Sequence, residues 1–181
     1  RHLNSYPSLC ASERLLGNPP AWGRGKKAPF LTETGMNSLD HLVSALRSRI
    51  AKLGRTPTNY GLIHADMRLA NLMVSGSDIW VIDFDDCGYR WFLWDCATGL
   101  TFLEDMPGMG ERISAWVTGY RQFRELTDED DTHLPDFVKM RPLRVMAWFA
   151  HPSSTDLAPR AAPSCYHTKF SMHCQVRENA P

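Results

Sequence analysis

The stretch between residues 60 and 86 limits the possible folds most, because it alternates short apolar runs with polar turns. Residues 60–63 and 71–74 form two such runs, and a Ser-Gly-Ser turn separates the second from a third run at residues 79–82. Apolar runs of about four residues bounded by turn residues are typical of short β-strands. The sequence therefore predicts three strands, of which the last two pair as a hairpin.

Helical patterns flank this strand region. Apolar side chains recur at three- and four-residue steps from position 39 to position 53, which predicts an amphipathic helix. Asn37 or Ser38 is predicted to cap the start of this helix, and Gly54 to end it.

Three further helices are predicted after the hairpin. Residues 91–103 form an apolar run that indicates a buried helix, and apolar positions between residues 113 and 120 mark the inner face of another. A last helix is predicted over residues 137–149, where Pro142 removes a backbone donor and should cause a kink or a break. The acidic run at residues 128–131 is predicted to be a solvated loop.

Length and composition indicate one compact domain with flanking segments. The chain has 181 residues, of which 43% are apolar, enough for one sizeable core. Residues 36–150 carry the periodic patterns, whereas residues 1–35 are predicted to be an irregular leader and residues 151–181 a poorly ordered tail.

Charge and cysteine usage restrict the partners and the compartment. Twenty basic residues balance twenty acidic ones, so no general affinity for nucleic acid or an anionic membrane is predicted. The five cysteines form no CxxC pair, and no apolar run is long enough to cross a bilayer. A soluble cytoplasmic protein is therefore expected.

The densest chemical signal is the segment HADMRLAN at residues 64–71, followed after the hairpin by IDFDD at residues 82–86. Because the loop after the first strand turns back to the next one, Asp66 and Asn71 can face one cleft, and the hairpin brings Asp83 to the same place. Asn71 and Asp83 offer the hard oxygen ligands that Mg²⁺ accepts together with phosphate oxygens. Asp66, left free of metal, can take a hydroxyl proton and orient that oxygen toward phosphorus.

The pattern His-x-Asp-x-x-x-x-Asn, followed by a hairpin and Asp-Phe-Asp, resembles the catalytic and metal loops of the aminoglycoside phosphotransferase/choline kinase-like family. That family is itself similar to eukaryotic protein kinases, and the resemblance is closest to its bacterial branch of stress-response Ser/Thr kinases and homoserine-kinase-like enzymes. The resemblance is sharp over residues 60–98. It implies an α+β, mainly α fold, the C-terminal lobe of a protein-kinase-like fold with a short β-hairpin at the catalytic centre.

The resemblance also implies roles for individual residues. Asp66 corresponds to the catalytic base, Asn71 and Asp83 to ligands of Mg²⁺ that help to bind ATP, and His64 to a structural brace of the loop. Arg68 stands where protein kinases carry a catalytic-loop lysine, so it would bind and stabilise the transferring phosphoryl group.

A further implied residue is Asp95, which matches the family's buried aspartate that holds backbone amides of the catalytic segment. From its apolar surroundings, we expect Asp95 to be buried and hydrogen-bonded. The implied reaction transfers the γ-phosphoryl group of ATP to a hydroxyl group of a small molecule or of a protein Ser or Thr.

The sequence departs from the family at its amino end, where no glycine-rich strand-turn-strand and no following lysine occur. The nearest candidate, GRGKK at residues 23–27, lacks flanking strands. The chain is therefore expected to be a C-lobe fragment, truncated or frame-shifted, with weak or no activity without an N-lobe. Two alternatives stay open: a non-catalytic kinase-like binding or scaffold remnant, and a metal-dependent phosphohydrolase.

Overall fold

The computed structural model describes residues 33–104 and 106–149, which form a helical body with two small antiparallel sheets. The helices are α1 (Glu33–Leu53), α2 (Leu93–Gly99), α3 (Met109–Tyr120) and α4 (Asp128–Phe149). The strands are β1 (Tyr60–Ile63), β2 (Leu72–Ser75), β3 (Asp78–Val81) and β4 (Gly88–Trp91). This arrangement confirms the predicted α+β, mainly helical class.

Helix α1 buries the apolar stripe that its sequence predicts. The buried side chains are Leu39, Val43, Leu46, Ile50 and Leu53. The helix ends where Gly54 adopts a φ of +64°, a conformation that favours glycine.

The start of α1 differs from the prediction. The helix begins at Glu33, so Asn37 and Ser38 lie inside it rather than at a cap, and three residues assigned to the leader belong to it. The apolar stripe starts later than the helix does, and a carboxylate in the first turn favours a helix N-terminus.

The predicted hairpin is present as β2 and β3, with Leu72 opposite Val81 and Ser75 opposite Asp78. Each strand is displaced by one residue from its predicted bounds. The first strand, β1, pairs instead with β4 in a second antiparallel sheet, in which Tyr60 lies opposite Trp91.

Strand β4 was not expected, and the helix predicted over residues 91–103 was wrong at both ends. Trp91 closes β4, and α2 extends only from Leu93 to Gly99. A short apolar run fits a buried helix and a buried strand equally well, so its periodicity could not separate the two.

The core lies where α4 packs against α2 and α1. Phe137, Met140 and Leu143 of α4 are almost completely buried there, as are Leu39 and Ile50 of α1. Burying side chains of this size stabilises the fold by roughly 1.5–3 kcal/mol each relative to exposure.

Helix α4 includes the acidic run that was predicted to be a loop. Thr127 and Asp130 form a capping box at its start: Asp130 Oδ2 accepts from the Thr127 amide at 3.0 Å, and Thr127 Oγ1 accepts from the Asp130 amide at 3.2 Å. Acidic residues in a first helical turn also interact favourably with the helix dipole. The loop prediction was therefore wrong.

The break predicted at Pro142 is also absent. Helix α4 continues through Pro135 and Pro142 to Phe149. The cost of the lost backbone hydrogen bonds is offset by the buried apolar side chains around these prolines, since tertiary packing routinely overrides local propensity.

The predicted leader and tail, including residues 23–27, lie almost entirely outside the described residues. Among the residues that the structure describes, no helix is both long enough and apolar enough to span a bilayer. The cytoplasmic location stays a prediction.

Candidate active site

His64 stands directly after β1, and its ring connects the following loop to the end of the hairpin. Its Nε2 lies 2.9 Å from the Ile82 carbonyl oxygen, and its Nδ1 accepts a hydrogen bond of 3.2 Å from the Asp66 amide. This pattern places the ring proton on Nε2, which donates to the carbonyl. The ring also packs on Phe84, with centroids 4.7 Å apart. These contacts suit the structural brace predicted for His64.

Asp95, in the first turn of α2, accepts hydrogen bonds from the two amides that open this loop. The Ala65 amide donates to its Oδ1 at 2.7 Å, and the His64 amide donates to its Oδ2 at 3.1 Å. Ala65 has a φ of +69°, a left-handed conformation that costs a residue with a Cβ roughly 1–2 kcal/mol. The Asp95 carboxylate therefore holds the backbone in the strained turn that leads into Asp66.

The environment of Asp95 is less enclosed than the sequence predicted, since the residue is partly rather than fully buried. Burial raises the pKa of the Asp95 carboxyl above its ordinary value of 3.8, and the hydrogen bonds from the Ala65 and His64 amides oppose that shift. Desolvation is the larger of these effects.

The Asp66 carboxylate is oriented by three donors. Its Oδ2 accepts from Arg68 Nε at 3.0 Å and from Asn71 Nδ2 at 3.0 Å, and its Oδ1 accepts from Arg141 Nη2 at 2.6 Å. Asn71 Nδ2 also donates to the Asp66 carbonyl oxygen at 2.8 Å. The Asp66 side chain retains 13% exposure. A fixed carboxylate at the edge of solvent is the arrangement that a general base for a hydroxyl group requires.

Three residues of this network were not identified from the sequence: Thr98, Thr101 and Arg141. Thr98 Oγ1 accepts from the Met67 amide at 2.9 Å, and Thr101 Oγ1 accepts from Arg141 Nε at 2.8 Å. The signal that could have revealed the threonines is their spacing, because Asp95, Thr98 and Thr101 are polar residues three apart in an apolar run. Arg141 is distant in sequence, and only the packing of α4 brings it to Asp66.

Asp83 follows Ile82, whose backbone is hydrogen-bonded to residues of this network. The Ile82 amide donates to the Asn71 carbonyl oxygen at 3.0 Å, while the Ile82 carbonyl oxygen faces His64. Asp83 itself is exposed and has a φ of +65°. A left-handed conformation at a residue other than glycine is common at functional sites. A shared cleft for the Asp66 and Asp83 carboxylates stays a prediction.

The described residues offer few ligands for a metal ion that is held by protein groups alone. Within residues 33–104 and 106–149, no three His, Cys, Asp or Glu side chains are grouped so that they could hold a metal ion. Asn71 uses its amide nitrogen, not its oxygen, in the two hydrogen bonds to Asp66. Mg²⁺ is usually held by only one or two protein oxygens together with substrate phosphates, and the Asn71 oxygen and the exposed Asp83 carboxylate can supply these.

Known proteins are similar to this chain in sequence and in fold. The chain is 28% identical over 110 residues to the amicoumacin kinase of Bacillus subtilis (strain 168), a match that covers 56% of this chain and 33% of that protein. Among solved structures, a microcompartment-associated aminopropanol kinase has a TM-score of 0.75 and 38% identity, covering 92% of this chain and 51% of that one.

A second solved structure is an amicoumacin kinase in complex with AMP-PNP, Ca²⁺ and Ami. It has a TM-score of 0.61 and 24% identity, covering 87% of this chain and 49% of that one. The chain thus spans about half the length of these solved kinases and a third of the curated one. A model of the phosphotransferase enzyme family matches residues 16–132, more than half of the chain, and the protein therefore belongs to the phosphotransferase enzyme family.

Proposed function

We propose that this chain carries the catalytic base and the metal ligands of an ATP-dependent phosphotransferase that acts on a hydroxyl group of a small molecule. The observation that supports this most is the Asp66 carboxylate, held by Arg68 and Asn71 at 3.0 Å each. In this position Asp66 can accept the acceptor's hydroxyl proton while that oxygen attacks the γ-phosphorus of ATP. The bond from phosphorus to the bridging oxygen then breaks, and ADP leaves.

The other residues of the site have separate roles in the proposed reaction. Arg68 is partly exposed, with 38% of its side chain accessible, so its other guanidinium nitrogens can bind an incoming phosphate while its Nε stays on Asp66. His64 and Asp95 hold the loop and need not contact either substrate. Positioning and charge stabilisation account for most of the catalysis of phosphoryl transfer, and a loop fixed at both ends provides the first of these.

The proposed cofactors are ATP and Mg²⁺. A solved relative is in complex with AMP-PNP and Ca²⁺, which supports a nucleotide with a divalent cation. A bound Mg²⁺ would neutralise phosphate charge, and Asn71 and Asp83 would hold it. Beside them, the hairpin exposes Met73, Trp80 and Ile82, which offer apolar surface for an adenine base.

A small-molecule acceptor is favoured over a protein Ser or Thr. The names of the similar kinases refer to amicoumacin and to aminopropanol, which supports a small molecule as the acceptor. We therefore propose an amino alcohol as the first acceptor to test.

The test is single-turnover transfer from [γ-³²P]ATP to 1-amino-2-propanol, with the 181-residue chain in excess over ATP. We expect slow, magnesium-dependent labelling of the acceptor that Asp66→Asn abolishes. Asp85→Asn is the control, because Asp85 is exposed and lies in the same loop as Asp83. Equal labelling by wild type and Asp66→Asn would contradict the proposal.

The same assay separates the two alternatives. Release of ³²P as inorganic phosphate, independent of the acceptor, would indicate a metal-dependent phosphohydrolase. A chain that binds the nucleotide but never transfers or releases phosphate would indicate a binding or scaffold remnant.

A further inference from the structure

Arg141 of α4 contacts the proposed base, although the proposed reaction assigns it no part. Its Nη2 lies 2.6 Å from Asp66 Oδ1, and its Nε donates to Thr101 Oγ1 at 2.8 Å. The Trp94 ring lies 6.0 Å from its guanidinium carbon, and only 12% of the side chain is exposed. Arg141 therefore has a fixed place, unlike a surface arginine that pairs loosely with a carboxylate.

Counting lone pairs shows where an acceptor hydroxyl must bind. A carboxylate offers about four acceptor positions, two on each oxygen. Arg68 and Asn71 occupy both positions of Asp66 Oδ2, whereas Arg141 occupies only one position of Oδ1. Counting donors from the described residues alone, the open position is thus on Oδ1, on the oxygen that Arg141 holds.

Thr101, which accepts a hydrogen bond from Arg141, lies in the same row of side chains that holds the loop around Asp66. Asp95 accepts the amides before Asp66, and Thr98 accepts the amide of Met67, the residue after it. Thr101, three residues farther along, holds Arg141, which in turn holds the Asp66 side chain. One face of α2 and the turn after it therefore sets both the backbone and the carboxylate of the proposed base.

We propose that Arg141 is a positioning residue, which fixes Asp66 Oδ1 so that its open lone pair meets the acceptor hydroxyl. This inference rests on the proposed function. The role requires arginine, because a guanidinium group can donate to Thr101 and Asp66 at once in a fixed plane. A lysine would keep the charge but lose one of the two contacts.

The geometry can be tested without any catalysis, by NMR of the arginine side chains in the 181-residue chain. We expect slow hydrogen exchange for the Arg141 Nε–H and Nη–H groups. Thr101→Val should shift the Nε signal, and Asp66→Asn should shift the Nη signals. If both substitutions leave the Arg141 signals in place, the inference is overturned.

The role is tested by acceptor labelling with Arg141→Met, Arg141→Lys and the control Lys139→Met, which removes a charge from an exposed position of the same helix. Misplacing a catalytic group by about 1 Å can cost about 100-fold in rate, so we expect Arg141→Met to lose 10- to 100-fold in the rate of transfer. The KM for ATP should stay unchanged, and Arg141→Lys should recover part of the rate.

Two results would overturn the role: Arg141→Met labelling the acceptor as fast as Lys139→Met, or a loss confined to the KM for ATP. Should Arg141→Met fail to fold, Arg141→Lys and Thr101→Val still test the claim. A wild-type chain that transfers nothing would contradict the proposed function instead, and the NMR result alone would then decide whether Arg141 holds Asp66.

Discussion

Replacing Asp95 by Asn removes one of the two acceptors that hold the loop before the proposed base. The Asp95 carboxylate meets an amide at each oxygen, Ala65 at 2.7 Å and His64 at 3.1 Å. An asparagine has one oxygen and one NH₂ group, so in either rotamer one backbone amide faces a donor. Leaving such a donor without an acceptor costs about 1–3 kcal/mol, and we expect the free energy of unfolding to fall by that amount.

Urea unfolding followed by tryptophan fluorescence measures this change, because Trp91 and Trp94 are buried in the core and become exposed on unfolding. Asp85→Asn is the matched control, since the same substitution at an exposed site should change stability by less than about 0.5 kcal/mol. A loss for Asp95→Asn no larger than that of the control would refute the role of this carboxylate in holding the loop.

The loss of stability caused by Asp95→Asn should depend on pH, because burial raises the pKa of the Asp95 carboxyl above 3.8. The folded state then binds this proton more tightly than the unfolded state does, so the linked stabilisation is complete below pH 3.8 and disappears as the pH rises through the raised value. Since Asn does not titrate, the stability difference between wild type and Asp95→Asn should be largest at acidic pH. A difference that grew toward neutral pH would show that the sign of the shift is wrong.

Two further substitution and labelling experiments test the packing around the site. Gly61→Ala places a Cβ 2.8 Å from an aromatic ring and should destabilise the fold by about 1–3 kcal/mol in urea unfolding, whereas Gly110→Ala, in open space on α3, should be neutral or slightly stabilising. Burial raises the pKa of the Cys96 thiol to about 12. Iodoacetamide at pH 8 should therefore alkylate the exposed Cys87 and leave Cys96 unmodified in the folded chain. Mass spectrometry that finds both cysteines equally modified would contradict the burial of Cys96.

The sequence predicted the hairpin and the first helix well because both have a strong local pattern. The hairpin alternates short apolar runs around a Gly76 turn, and that glycine has a φ of +60°. The stripe from Leu39 to Leu53 has a clear helical period, and its side chains are buried in the structure except for the partly buried Leu42. Local patterns of this kind depend little on the rest of the fold.

Predictions from local sequence patterns were wrong where tertiary packing determines the secondary structure. Strand β4 forms because its partner β1 lies beside it, and nothing in residues 88–91 separates a strand from a helix start. Helix α4 continues through Pro142 because its apolar side chains are buried on both sides. The acidic run at the start of α4 does contain a readable signal, the Thr127–Asp130 capping box, which favours a helix over a solvated loop.

The site was predictable as a set of residue types in one segment, but not as a network. The spacing within residues 64–71 was enough to single out Asp66 and Asn71, which are hydrogen-bonded in the structure. The contact of Arg141 with Asp66 spans 75 positions of the chain, and no local rule connects residues so far apart. Only the packing of α4 against α2 brings them together.

The central claim is that Asn71 and Asp83 hold the divalent ion of a nucleotide beside Asp66. Titrating Mn²⁺ with AMP-PNP into the ¹⁵N-labelled 181-residue chain tests it directly, since the ion broadens the amide signals nearest to it even when binding is weak. We expect the strongest broadening at Asn71 and Asp83, and its loss in Asp83→Asn but not in Asp85→Asn. Broadening that is centred elsewhere, for example on the acidic first turn of α4, or that is the same in both variants, would contradict the account.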